Sequence, residues 1–150
     1  MKFKLLVTAL ALAMTQTVFA ADYPANPRKC PTVASIKSVG VSDAYLLRDA
    51  EGGALTGIER HNYFGTKVEW TLLVGIFYPD TSKSEVLAKA NTLISDLTYA
   101  VGPVQERNGL WVCAYKHPTD KDHSDKGYAA WAIYPAVDIP QSMLTGILKK

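Results

Sequence analysis

Residues 67–78 constrain this chain more than any other stretch, because apolar side chains recur there at a period of two. Val68, Trp70, Leu72, Val74, Ile76 and Tyr78 alternate onto one face, the pattern of a strand with one side on a core. The other side begins polar at Glu69 and Thr71 and turns apolar through Leu73, Gly75 and Phe77. The second half of this strand therefore needs cover on both faces and a central place in a sheet. Pro79-Asp80 stops it, and Ser82 with Glu85 forms a capping box in which each residue satisfies an orphan backbone N–H of the other. Val86, Leu87, Ala90, Leu93, Ile94, Leu97 and Val101 then recur at helical spacing, with Lys83, Lys89, Asn91, Ser95 and Asp96 outside. Gly102-Pro103 predicts the helix stop.

Around this strand–helix unit the elements are shorter. Residues 21–31 carry Pro24, Pro27 and Pro31 and read as an extended arm pinned by Cys30. Residues 32–41 and 44–50 contain β-prone runs, with Gly40 and Ser42-Asp43 turning between them. Glu51-Gly52-Gly53 ends the second run, and Gly57 and Gly65 interrupt the stretch between it and Lys67. Two further strands are predicted over 110–116 and 128–135, separated by the polar loop 117–127. Asn108-Gly109 is a favoured two-residue turn, which lets 103–107 pair back on 110–116. Residues 141–148 carry a weaker helical pattern, broken by Gly146, for a short C-terminal helix. The order predicts one α+β domain over 32–150: an antiparallel sheet of five to six strands with one main amphipathic helix on one face.

The first twenty residues place that domain outside the cytoplasm. Lys2 and Lys4 precede an apolar run, and Val18-Phe19-Ala20 offers small residues at positions −3 and −1 of a cleavage site. Residues 1–20 thus read as an export signal, which makes the product secreted or periplasmic. The run is too short for a membrane span and no second one comes after it, so no integral membrane anchor is expected. The leader holds two of the 16 basic residues, so the product balances 14 basic against 14 acidic groups. A neutral chain without a clustered basic face gives no reason to expect nucleic acid. Cys30 and Cys113 are an even pair in an exported chain, which favours a disulfide. The competing reading, a nucleophilic Cys113 with His117 as base, puts the two about 13 Å apart along a strand, too far for direct proton transfer.

No catalytic motif is present. The chain lacks a Gly-x-Ser-x-Gly elbow, a phosphate-cradling loop and a His-Glu-x-x-His pair, so an enzyme is not expected and a hydrolase ranks third. Asp120, Asp122 and Asp125 suggest a calcium loop, but an EF-hand would need Gly and Glu where Asp125 and Trp131 stand. A solvated hairpin loop explains them better. The three histidines, His61, His117 and His123, are most simply surface or half-buried imidazoles. The sharper reading makes one or two of them ligands to a metal or to haem iron, which tyrosine also binds. Tyr63, Tyr115 and Tyr128 lie closest in sequence to a histidine. Without Cys-x-x-Cys-His, covalent c-type attachment is excluded. Trp70, Tyr78, Trp111, Tyr115, Tyr128, Trp131 and Tyr134 fall on predicted strands. Their first role is core filling, and their second is a groove for a flat apolar ligand such as a porphyrin, a lipid or a peptide.

Cys30-Pro31, Gly75-Ile76-Phe77-Tyr78-Pro79 and Trp111-Val112-Cys113 give the chain a wider likeness. With its leader, it resembles a family of small exported bacterial proteins, largely uncharacterised, some of which carry the name hemin-binding protein. The resemblance implies haem as the first ligand to test, and it carries over no binding residue. The expectation is an exported binding protein for a small hydrophobic ligand, a monomer or weak dimer. His61, His117 or His123 would meet iron, helped by a nearby tyrosine. The alternative is a secreted interaction module that meets a host or bacterial protein through a sheet edge or aromatic patch.

Overall fold

The computed structural model describes residues 24–47, 53–78, 80–118 and 127–136. Their elements are α1 (Val33–Val39), β1 (Asp43–Leu47), β2 (Ala54–Asn62), β3 (Trp70–Phe77), α2 (Lys83–Ser95), β4 (Thr98–Gln105), β5 (Trp111–Lys116) and β6 (Tyr128–Tyr134). The strands form one antiparallel sheet in the order β1-β2-β3-β6-β5-β4. Ile36 of α1 and Val86, Ala90 and Ile94 of α2 pack with Trp70, Leu72, Val74 and Ala132 on one sheet face. Leu73, Trp131, Ile133, Val112 and Ile58 form a second apolar cluster. The expected α+β architecture is therefore present. The 141–148 helix, and most of the 117–127 loop including His123, lie outside the described residues.

β3 is interior in the sheet, and all its residues except Ile76 are buried. Its alternation does not run to the end as the sequence suggests. Gly75 has φ +70°, and between the pairs Gly57–Val74 and Leu55–Phe77 two residues of β3, Gly75 and Ile76, stand against one of β2, Thr56. This bulge reverses the faces. Phe77 joins Trp70 and Val74 on the helix side, and Ile76 packs with the opposite cluster. Tyr78 is 82% exposed rather than in line with Trp70.

α2 begins as expected. Ser82 Oγ accepts the Glu85 N–H and the Glu85 carboxylate accepts the Ser82 N–H. That hydroxyl holds the Glu85 carboxyl below its usual range. The helix ends at Ser95 rather than running on to Gly102. Thr98, Tyr99 and Val101, with β-prone side chains, pair with β5 instead and start the edge strand β4.

Two predicted features change type. Residues 33–39 are a helix, not a strand: Thr32 caps it by accepting the Ser35 N–H, and Ile36 is its buried side chain. Val33, Ile36 and Val39 stand three apart, a helical spacing that their β-branching masks. β2 runs straight through Gly57. A Cβ there would lie 2.6 Å from that of Ala90, so this glycine lets α2 close onto the sheet.

The arm is a strap along β5. The Trp111 indole N–H donates to the Pro24 carbonyl at 2.9 Å, and the Tyr115 hydroxyl donates to the Pro31 carbonyl at 2.7 Å. Between these ties Cys30 and Cys113 form a disulfide. The bond removes the catalytic-thiol reading of Cys113. Among the described residues no helix is long and apolar enough to cross a membrane.

Candidate functional site

Antiparallel pairing divides the candidate residues between two ends of the sheet. β2 and β6 run one way and β3 and β5 the other. His61 and Tyr63, at the end of β2, therefore share one end. Tyr115 and His117, at the end of β5, and Tyr128, at the start of β6, share the other.

The His61 end is built on a constrained turn. His61 has φ +52° and Phe64 φ +44°, left-handed values that histidine tolerates better than most side chains and that a bulky aromatic holds only when its surroundings enforce them. Here the enforcement is visible. Phe64 is buried in the helix-side core, and its N–H donates to Asn62 Oδ1 at 2.9 Å. Thr66 Oγ1 lies 2.8 Å from the Tyr63 and Val68 carbonyls and accepts the Trp70 indole N–H at 2.9 Å. Facing this turn, Ser35, Ser38 and Val39 of α1 complete an open cleft of about 350 Å³.

One carboxylate organises the rim. Glu69 Oε2 lies 3.3 Å from His61 Nδ1, with the two side chains 41% and 52% exposed. A carboxylate beside Nδ1 favours the proton on that nitrogen and leaves Nε2 with its lone pair. The same carboxylate raises the pKa of the Tyr63 phenol, first as a hydrogen-bond acceptor within its reach and then through its charge. Among the described residues no three His, Cys, Asp or Glu side chains form a metal cluster. The cleft thus presents one imidazole nitrogen beside one phenol. That donor set falls short of the four protein ligands of a closed metal cage.

The other end is structural in its contacts. Tyr115 is fully buried, its hydroxyl is taken by Pro31, and burial, then the neighbouring Tyr99, raises its pKa strongly. His117 is 13% exposed, with Nε2 3.8 Å from Asp96. Tyr128 packs against the second apolar cluster, and Lys116 Nζ stands 5.7 Å from its ring centre. Trp70, Tyr115 and Trp131 fill the core rather than a groove. Glu69 is the site residue that sequence reasoning misses. Its only signal is a place eight residues after His61, across a turn. No family model, curated protein or solved structure matches the chain.

Proposed function

We propose that the protein is an exported binder of a small, flat ligand in the His61 cleft, with haem the first candidate. One observation carries this reading: a rigid, strained turn presents His61 and Tyr63 on the rim of a cleft, around a shared carboxylate. In this role His61 Nε2 meets the iron, Glu69 orients the imidazole from behind, and Tyr63 lies beside it. A volume of about 350 Å³ is at the small end for ligand pockets, so a porphyrin would sit partly outside, with its carboxylates in water. The leader-like first twenty residues and the Cys30–Cys113 bond support a secreted or periplasmic location.

Titrating hemin into residues 21–150 tests the assignment. A shifted Soret band is expected, lost in His61→Ala and kept in His117→Ala. A spectrum matching free hemin overturns it. One observation favours the protein-interaction alternative: Tyr99, Val101 and Val104 are 56%, 40% and 45% exposed along β4. The two register shifts in β4 and Pro103 within it oppose strand addition there, since bulges and proline blunt an edge.

A further inference from the structure

We propose that the Cys30–Cys113 bond locks one wall of the His61 cleft, so that a dithiol reductant lowers the affinity of that cleft. The inference rests on the binding role proposed above. The wall is α1, seven residues long, too short to persist by its own hydrogen bonds. It is held at three places. Ile36 is buried in the core. At the C-terminal end Asn91 clamps Val41, accepting its N–H and donating to its carbonyl, both at 3.1 Å. At the N-terminal end two ties run to β5: the Tyr115 hydroxyl donates to the Pro31 carbonyl, and Cys30, two residues before the Thr32 cap, is bound to Cys113.

The N-terminal end is the one that sets the cleft. Ser35 is bonded to the Thr32 cap through both its N–H and its hydroxyl. It also abuts Gly65 of the opposite wall, where a Cβ would lie 2.9 Å from Ser35 Oγ. Opening the disulfide therefore leaves this end of α1, and with it the residue that meets the turn, with only the Tyr115 hydrogen bond of its two ties to β5. The Asn91 clamp keeps the far end of α1 in place, so the wall swings rather than detaches.

The exchange balances with a dithiol protein or small molecule as reductant. Its first thiolate attacks Cys30 Sγ, because Cys30 is partly exposed and Cys113 is fully buried. Cys113 leaves as thiolate and takes a proton. The second thiol of the reductant, as thiolate, then attacks the reductant's first sulfur, expelling Cys30, which takes a proton to become a thiol, and closing the reductant's own disulfide. Two electrons and two protons pass to the protein.

The test uses residues 21–150 in three forms: oxidised, reduced and desalted under nitrogen, and Cys30→Ser/Cys113→Ser. Hemin Kd and amide exchange are measured on each. Reduction is expected to raise Kd about tenfold and to speed exchange across α1, with β3 amides still protected. An unchanged Kd with unchanged α1 exchange after full thiol release overturns the lock. Complete loss of β3 protection also overturns it, because the reduced protein would then be unfolded rather than loosened at α1. Oxidised protein that ignores hemin, yet loses α1 protection on reduction, keeps the lock and removes the haem assignment.

Discussion

Tyr115 shows how a candidate ligand becomes a structural residue. Its ring meets Tyr99 edge-on, with centroids 6.2 Å apart, and its hydroxyl holds the strap at Pro31. Burial favours the neutral phenol, so the folded pKa is raised above the ordinary value of 10.0. The stability this group contributes is whole below that value and declines as pH climbs past it, where the unfolded chain ionises first. Tyr115→Phe is expected to cost about 1–2 kcal/mol at neutral pH, because the Pro31 carbonyl loses its donor, and to flatten the alkaline decline. Urea midpoints of both proteins at pH 7 and about pH 10.5 measure both effects. An equally steep decline in the variant would trace it to other groups. His61 is the converse case: its half-exposed side chain can be removed with little change in stability, so a lost Soret shift there reports on binding.

Among the elements, β3 depends most on one position. Gly75→Ala places a methyl 2.5 Å from the Phe77 ring and 3.2 Å from Leu93 at φ +70°. We expect a loss of about 2–4 kcal/mol, from backbone strain together with a displaced core ring, read as a lower urea midpoint with an unchanged slope. A wild-type midpoint would show that the bulge can relax. The same strand marks the limit of what sequence reveals. The alternation over 70–74 is legible because residues 72–74 pair in regular register with neighbours on both sides. The reversal at Gly75 is not, since it is a property of the register with β2. Gly57 reads as a break until the helix that presses on it is known. Residues 98–101 fit a helix until β5 offers them hydrogen bonds. The site obeys the same rule. His61 and Tyr63 stand out by residue type, whereas Glu69 acquires meaning only when the turn folds it back beside them.

At the scale of the whole molecule, the disulfide joins residues 83 apart. Closing so long a loop restricts the unfolded chain, and replacing both cysteines with alanine is expected to cost about 4–5 kcal/mol in the chain-entropy account. Equilibrium unfolding in urea measures it, and a loss under about 1 kcal/mol would mean that the denatured ensemble is already restrained without the bond. The strand order has a separate consequence. β6, last among the described strands, sits between β3 and β5, so the sheet stays in two halves until Tyr128–Tyr134 arrives. A polypeptide delivered front end first, by a ribosome or through a pore, must emerge as far as Tyr134 before its middle can knit together. Until then it remains pliable enough to be threaded.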